Sequence, residues 1–484
     1  MRLRPAAIVV ALVLAAVAFE LPRLRHAWID AVTRADATPS APAPLPGGGL
    51  LPGLPPVGHT RVILVDGLAA ETARALPAWS ALCARGTRLV VDVGFPTVSM
   101  PVEVALWSGL TQQQTGIVGH GEGALVPPLD ARAIPAQVAN SWAVAENHGF
   151  LVRSLGFART DAEDPAIKPA DTAWDAAWQG RAREAVASAA PLVFVHVLRV
   201  DTAGHHHGAD STEYRAAAQT ADTILGTLVA ADPGARWFAL SDHGHLPGGG
   251  HGGEEREVRQ VEGCIAGPGV PTRTGGPIAM VDVARAIADS TGATLPAASP
   301  ARPFGVALAA PLADHQGVPT LDLGRGAVAV FLLALGLACS VISVRRWWLA
   351  PWWLVLACGA LIAVHGEPTL STPMTYAAAG RTMYLTWLPA LALAALSTHL
   401  GIRRTSLARA IVAQLVLPAC VLAAAITAAG GWPTLAGADL APVVPRFTAW
   451  VSALLLLVAH GAAAVALAAL IAAVQRARRP IPAS

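Results

Sequence analysis

The sequence has few cysteines and little net charge, and both shortages limit what the protein can be. Five cysteines occur among 484 residues, and no two of them form a Cys-x-x-Cys pair. A bridge between Cys83 and Cys264 is possible, but the spacing does not require one, so the cysteines do not define a redox compartment. The formal net charge is only +2, and the arginines lie mainly beside apolar runs, so nothing indicates a nucleic-acid partner.

From about Gly324 onward, charged residues are almost absent from long runs rich in Ala, Leu and Val. Five apolar segments occur there, and most approach the twenty residues that a membrane span needs. They lie near residues 326–344, 348–364, 383–400, 410–429 and 447–474. They contain no carboxylates of the kind that ion-coupled transporters place within the membrane. We therefore predict a domain of about five transmembrane helices over residues 324–476, and its composition argues against ion-coupled transport.

The N-terminus has the form of a signal sequence or a signal anchor over residues 1–25. Arg2 and Arg4 precede about fourteen apolar residues, and no good cleavage site follows them. An uncleaved anchor is favoured, and a cleaved signal is the alternative. Residues 26–59 are rich in Pro and Gly over most of their length and predict a linker.

The distribution of arginine predicts how the chain would cross a membrane. Arginines cluster at alternate ends of the apolar segments, and these ends are expected in the cytoplasm. Residues 60–315 then lie outside it. We expect an integral membrane protein, of the bacterial inner membrane, with one extracytoplasmic domain.

Residues 60–315 carry the mixed polar and apolar pattern of an α/β domain. Three apolar, strand-like runs end in Asp66, Asp201 and Asp242. Because ligands of open α/β sheets gather beyond the carboxyl ends of the strands, the three aspartates should meet at one edge. A single aspartate in such a position is more often a turn or a helix cap. Three of them, two closely followed by histidine, indicate a ligand cluster.

The loop SDHGHLPGGGH, residues 241 to 251, follows one of these strands. Asp242 and His243 are adjacent and can present an oxygen and a nitrogen to one ion, while His251 can reach a second. Carboxylate and imidazole mixtures suit zinc, and manganese or another divalent ion is an alternative. Solvated histidines in a surface loop would give the same pattern.

A hydroxyl nucleophile is predicted in the segment PTVSMP, residues 96 to 101. Pro101 suits the first turn of a helix that continues through VEVALW, so Ser99 lies at or beside the helix N-cap. Serine is a common N-cap without any catalytic role. A hydroxyl at a helix N-terminus also faces free backbone N–H groups, which suits attack on a phosphate.

Four ordered motifs resemble those of the alkaline phosphatase superfamily, in its type I phosphodiesterase/nucleotide pyrophosphatase branch. They are LVDG around Asp66, PTVSMP with the later TGIVG, D-x-x-G-H from Asp201 to His205, and SDHG from Ser241 to Gly244 with a late histidine. The resemblance covers residues 61 to about 270. It implies an alkaline-phosphatase-like, mostly parallel sheet sandwiched by helices.

The resemblance also implies a site with two divalent metal ions, zinc before others. One ion would take Asp66, Asp242, His243 and the Ser99 oxygen, and the other would take Asp201, His205 and His251. His245 is left outside both sets as a bystander. Ser99 would be the nucleophile, and Thr97 is the competitor for that role. His120 stands where the branch has an asparagine that holds a phosphoryl oxygen, and this departure puts the substrate in doubt.

The predicted function is a membrane-bound two-metal phosphodiesterase or phosphohydrolase that forms a covalent phosphoserine intermediate. The order of anchor, external domain and apolar C-terminus resembles the ethanolamine-phosphate transferases of lipid-anchor synthesis, so transfer of a lipid head group is the alternative. The predicted substrate is a phosphate ester. For the transferase alternative, this ester would be linked to a lipid. A catalytically decayed binding protein is the rival from another class, and the sequence does not define an oligomeric state.

Overall fold

The computed structural model describes residues 53–117, 133–162, 168–253 and 255–312, together with isolated residues between 327 and 474. The predicted signal anchor, most of the linker and nearly all of the five apolar segments lie outside these ranges. The chain divides into two compact units. One comprises Thr33–Gln316 with Leu370–Tyr376, and the other comprises Met1–Val32, Gly317–Thr369 and Ala377–Ser484. Among the described residues, no helix combines the length and apolar character that a membrane span requires.

The first unit is built on an eight-stranded mixed sheet in the order β4-β3-β5-β1-β6-β7-β2-β8. Five neighbouring pairs are parallel, and β7 runs antiparallel to both β2 and β6. The strands are β1 Thr60–Val65, β2 Gly86–Asp92, β3 Trp142–Ala145, β4 Arg159–Ala162, β5 Leu192–Val197, β6 Arg236–Leu240, β7 Gln260–Ala266 and β8 Arg273–Ala279. This α/β sheet agrees with the predicted fold class, with one antiparallel strand in its middle.

Twelve helices are described in this unit. They are α1 Ala70–Ala75, α2 Pro77–Ala84, α3 Ser99–Ser108, α4 Gln112–Thr115, α5 Ile134–Gln137, α6 Gly149–Ser154, α7 Thr172–Ala187, α8 Arg199–His207, α9 Thr212–Ala231, α10 Arg256–Arg259, α11 Met280–Thr291 and α12 Phe304–Ala309. α3 has Pro101 in its first turn, where the missing N–H costs little, and it ends at Gly109, whose φ of 69° suits glycine.

Helices cover both faces of the sheet, which explains the unbroken apolar runs in its central strands. In β1, Val62 and Leu64 belong to one core cluster, while Ile63 and Val65 belong to the cluster on the opposite face. Successive side chains of a strand point to opposite faces, so a strand covered on both sides has no solvated position.

A disulfide joins Cys83 of α2 to Cys264 of β7. The two Cα atoms lie 4.9 Å apart, and 181 positions of sequence separate the residues. The sequence alone did not decide whether this bridge forms, because only the packing of α2 against β7 brings the two cysteines together.

Candidate active site

Three strand ends bring three aspartates to one edge of the sheet. β1 lies between β5 and β6 and pairs parallel with both. Asp66 and Ser241-Asp242 follow β1 and β6 directly, and Asp201 lies in the first turn of α8, which begins two residues after β5 ends. His243 Nε2 lies 3.3 Å from Asp66, 3.5 Å from Asp242 and 4.0 Å from Asp201.

Local backbone features fix the position of Asp201. The first turn of α8 is held by the buried carboxylate of Glu146, which accepts hydrogen bonds from the backbone N–H groups of Leu198 and Arg199. The Arg199 side chain pairs with the same carboxylate. Gly67 has a φ of 72°, and a β-carbon there would lie 2.8 Å from the Asp201 Cα. Only glycine therefore allows this close approach.

The Ser99 group consists of Asp66, Ser99, Asp242 and His243. The Ser99 Oγ lies 3.3 Å from Asp66 Oδ1 and 3.1 Å from His243 Nε2. All four side chains are buried. Asp242 Oδ2 has no hydrogen-bond partner among the described residues, although such a buried oxygen normally has one. An oxygen of this kind fits a role as a metal ligand.

The two hydroxyls of the PTVSMP segment have different surroundings. Ser99 is the first residue of α3 and faces Asp66 and His243. The Thr97 hydroxyl donates to the Gly253 carbonyl at 2.8 Å and accepts from the Gly252 N–H at 3.0 Å. Thr97 thus joins two loops, and Ser99 alone of the two faces the cluster.

The Asp201 group consists of Asp201, His205, His245 and His251. Asp201 Oδ1 lies 2.9 Å from Nε2 of His245, 3.4 Å from that of His205 and 3.5 Å from that of His251. The Nε2 atoms of His205 and His251 are 3.0 Å apart. His243 and His251 stack with ring centroids 3.7 Å apart, so the Ser99 group and the Asp201 group lie side by side.

His245, which the sequence analysis left outside both ligand sets as a bystander, lies within the Asp201 group. It is buried and lies closer to Asp201 than either predicted histidine does. A β-carbon at Gly204 would lie 2.6 Å from the His245 ring, so the glycine of the D-x-x-G-H motif makes room for this side chain. The approach of α8 to the loop after β6 decides this contact, and spacing along the chain could not reveal it.

Two of the histidines have their ring orientation fixed by backbone carbonyls. The Nδ1 atom of His243 lies 3.0 Å from the Gly244 carbonyl, and that of His251 lies 2.8 Å from the Thr97 carbonyl. A carbonyl only accepts, so each Nδ1 donates and each Nε2 faces the cluster, where the neutral ring would offer its lone pair to a metal. Ligating histidines in metal sites commonly show this arrangement.

The separations between donor atoms also fit a tetrahedral cation. Metal–ligand distances of about 2.0–2.1 Å place neighbouring ligand atoms about 3.3 Å apart in a tetrahedral zinc site. In the Ser99 group the four separations given above run from 3.1 to 3.5 Å. In the Asp201 group the four separations given above run from 2.9 to 3.5 Å. Both groups could hold a divalent cation.

The electrostatics of the Ser99 group favour positive charge. Burial opposes ionisation of His243, but the charge of Asp242 and the hydrogen bond and charge of Asp66 raise its pKa to about 10. Burial and then the charge of Asp66 raise the pKa of Asp242 well above its usual value. The pair of carboxylates therefore needs a cationic partner.

Two histidines of the Asp201 group, His205 and His251, are kept neutral. Burial, together with the charges of neighbouring histidines, lowers the pKa of His205 to about 4 despite the charge of Asp201. Burial and the charges of His243, His245 and His205 lower the pKa of His251 well below its usual value. Neutral imidazole is the form that binds a metal.

His120, predicted to stand in for a phosphate-holding asparagine, lies outside the described residues.

Comparison with protein families gives one match. Residues 60–285 match the sequence model of the type I phosphodiesterase/nucleotide pyrophosphatase family. This match confirms the resemblance predicted from the motifs. It also confirms the enzyme class, a phosphoric-ester hydrolase or transferase. A search of curated proteins finds no match.

Several solved structures show a similarity at low identity. Murine ectonucleotide pyrophosphatase/phosphodiesterase 5 is 13% identical with a TM-score of 0.38, over 49% of this chain and 96% of that one. A Vibrio parahaemolyticus protein in the alkaline phosphatase superfamily is 13% identical with a TM-score of 0.36, over 61% of this chain and 82% of that one. A Pyrococcus horikoshii protein is 14% identical with a TM-score of 0.34, over 51% of this chain and 99% of that one.

Proposed function

Since residues 60–285 match the sequence model of the type I phosphodiesterase/nucleotide pyrophosphatase family, we propose that the chain is a two-metal phosphodiesterase with Ser99 as its nucleophile. The observation that carries this proposal is the position of the Ser99 Oγ. It lies at the start of α3, 3.3 Å from Asp66 Oδ1 and 3.1 Å from His243 Nε2, beside a second group of donors.

Asp66, Asp242, His243 and the Ser99 oxygen would hold one divalent cation. Asp201, His205 and His251, joined by His245, would hold the other. Their mixture of imidazole and carboxylate suits zinc. When bound, the two cations would lower the pKa of the Ser99 hydroxyl and offset the charge of the phosphate oxygens.

The proposed reaction has two displacements at phosphorus. In the first, the Ser99 Oγ attacks, an Oγ–P bond forms, and the P–O bond to the leaving alcohol breaks. The proton of the Ser99 hydroxyl passes to water, and the leaving oxygen takes a proton from water. In the second, a water molecule attacks phosphorus, the Oγ–P bond breaks, and the Ser99 hydroxyl is restored. The N-terminus of α3 supports both steps, because its free N–H groups and partial positive charge face the bound phosphate.

A transferase is the second candidate, and one contact favours it. Ser371 lies in the sequence between the apolar segments near 348–364 and 383–400. Its hydroxyl accepts from the Gly253 N–H at 2.8 Å and donates to Glu255 Oε2 at 2.8 Å. A segment between two predicted spans thus contacts the loop that carries His251. In the transferase version, the hydroxyl of a lipid-linked acceptor takes the place of water in the second displacement.

The location proposed for residues 60–315 is the outside of the cytoplasmic membrane. The N-terminal apolar run, the arginine pattern and the five apolar segments support it. The bridge between Cys83 and Cys264 supports it further, because structural disulfides persist in oxidising compartments.

The test is hydrolysis of bis-p-nitrophenyl phosphate by the purified full-length chain. We expect turnover that chelation abolishes and zinc restores. Ser99→Ala should remove it by a factor of at least about 10³, since the nucleophile is lost. Thr97→Ser is the matched control, because it keeps the hydroxyl that joins Gly252 and Gly253, and it should stay active. Full turnover in Ser99→Ala, or none in the wild type, would contradict the proposal.

Acid quenching during turnover should leave a phosphoryl adduct on the peptide that contains Ser99, and mass spectrometry would detect it. To separate the two candidates, an excess of an alcohol is added to the assay. A hydrolase gives free phosphate ester whatever the alcohol concentration, whereas a transferase gives the alcohol's phosphodiester.

A further inference from the structure

The side of Asp66 that faces away from Ser99 is surrounded by three further buried donors. His196 lies on β5, opposite Leu64 of β1, in a strand that otherwise reads LVFV-V. Glu103 lies on α3, one turn after Ser99. His148 precedes α6 and has a φ of 59°. No motif of the sequence indicated these residues, because each stands alone in an apolar or irregular stretch.

The two oxygens of Asp66 divide between two groups. Oδ1 lies 3.3 Å from Ser99 Oγ and 3.3 Å from His243 Nε2. Oδ2 lies 3.3 Å from His196 Nε2. A carboxylate that presents one oxygen to each of two donor sets has the geometry of a bridging ligand.

The new set has the spacing of a coordination shell. His196 Nε2 lies 3.3 Å from Glu103 Oε1 as well as from Asp66 Oδ2, and Glu103 Oε1 lies 3.1 Å from His148 Nδ1. The four donor atoms all lie within 4.8 Å of one another. These values match the edge of about 3.3 Å expected between ligands of a tetrahedral cation.

Three of the four side chains carry polar atoms with no hydrogen-bond partner among the described residues. These atoms are Asp66 Oδ2, Glu103 Oε2 and both ring nitrogens of His196. Asp66, Glu103 and His196 are each 0% exposed. Buried polar atoms are rarely left in this state, and an unfilled ion site is one of the recognised causes.

An imidazolium ion of His196 between the two carboxylates is the alternative explanation. Such a charge-assisted contact is normally about 2.7–2.9 Å long. Both separations are 3.3 Å instead, and Glu103 Oε2 would stay unpartnered. Burial lowers the pKa of His196, but Glu103 and Asp66 raise it well above its usual value, so the two carboxylates favour positive charge between them. The orphaned Glu103 Oε2 is the observation that points to a metal ion beside the ring.

We propose that Asp66, Glu103, His148 and His196 form a third divalent-cation site, with Asp66 bridging it to the Ser99 group. Two imidazoles and two carboxylates suit zinc rather than magnesium. The site extends the proposed two-metal centre. It would fix the Asp66 carboxylate, and through Glu103 it would fix the helix that begins at Ser99.

The test is the metal content of the purified full-length chain after exchange into zinc. We expect about three zinc ions per chain in the wild type and about two in Glu103→Gln. Asp92→Asn is the matched control, because it also turns a buried carboxylate into an amide, and it should keep all three. Two ions in the wild type, or three in Glu103→Gln, would overturn the proposal.

A second variant protects against a folding failure of Glu103→Gln. His148 is 20% exposed, so His148→Gln disturbs the core less. Titration with Co²⁺, followed by visible absorption, should saturate at one equivalent fewer in His148→Gln than in the wild type, and equal saturation counts against the site. The ion count does not depend on turnover. If the wild type binds three ions but does not hydrolyse the substrate, the third site is supported and the proposed function is contradicted.

Discussion

His245 Nε2 lies 2.9 Å from Asp201 Oδ1, which is the shortest contact that Asp201 makes within the Asp201 group. The pair joins α8 to the loop after β6. It places a fourth donor where the motifs indicated three, so the Asp201 group and the Ser99 group each have four donor side chains.

We expect His245→Ala to weaken the cation held by the Asp201 group. Loss of a ligand or of its direct partner typically costs 10- to 100-fold in metal affinity, so turnover at limiting zinc should fall by about that factor. Zinc titration of bis-p-nitrophenyl phosphate hydrolysis measures it, and high zinc should restore part of the rate. His207→Ala, on the exposed end of α8, is the control. An unchanged zinc dependence in His245→Ala would show that His245 has no part in the site.

Ser371 should act on the same cation from a distance. Its hydroxyl holds the Gly253 N–H, and the neighbouring Gly252 N–H and Gly253 carbonyl bind the Thr97 hydroxyl. The Thr97 carbonyl in turn accepts from His251 Nδ1. Removing one buried hydrogen bond costs about 1 kcal/mol, so Ser371→Ala should weaken zinc binding by about fivefold.

Competition with a chromogenic chelator measures this zinc affinity, and Ser371→Thr should restore it because the hydroxyl returns. If general misfolding caused the loss of zinc affinity, the melting temperatures of Ser371→Ala and Ser371→Thr would both fall by the same amount. Equal zinc affinity in Ser371→Ala and the wild type would contradict the positioning role.

The disulfide should contribute to the stability of the α/β unit. Cys83 and Cys264 close a loop across 181 positions of sequence, and removal of a native bridge typically costs about 2–5 kcal/mol. We expect the double variant Cys83→Ala/Cys264→Ala to unfold at lower denaturant concentration. Cys420→Ala, which changes a cysteine outside the bridge, should not. Equal midpoints for all three proteins would contradict the prediction.

The sequence predicted the parts of the site that follow directly from strand ends. Asp66 and Asp242 come immediately after apolar runs, and the parallel order of β5, β1 and β6 brings the ends of these strands to one edge of the sheet. The ordered motifs added the resemblance to the family, and the family model matches residues 60–285. The assignment of Ser99, and of the seven metal ligands, stays a prediction until the variants are measured.

The residues that the sequence analysis missed share a physical reason, because packing rather than spacing brings them to the site. His245 lies in the loop SDHGHLPGGGH but was set aside as a bystander, while His196 and Glu103 have neighbours along the chain that give no periodic or motif signal. Glu103 lies among apolar residues of α3, and its partners on β5 and before α6 are brought near only by the packing of that helix on the sheet. The one clue was the presence of a charge in the otherwise apolar stretch VEVALW. The antiparallel insertion of β7 likewise depends on pairing, which the strand's own residues do not reveal.

The low pKa of His205 gives the metal-free protein a specific pH dependence. The pKa of His205 is about 4 in the folded chain, mainly because of burial, and 6.5 in its unperturbed state. Between these values the unfolded chain binds a proton that the folded chain does not, so stability falls as the pH falls from 6.5 to 4. The full shift corresponds to at most about 3 kcal/mol.

His205→Gln removes this titration while keeping a polar side chain of similar length. In chelator-treated samples, the free energy of unfolding of the wild type should therefore decline more steeply than that of His205→Gln between pH 6.5 and 4. Above pH 6.5 the two should run parallel, because His205 is neutral in both states there. Urea unfolding at half-unit steps of pH measures both curves, and a constant offset across the whole range would show that burial does not depress the pKa of His205.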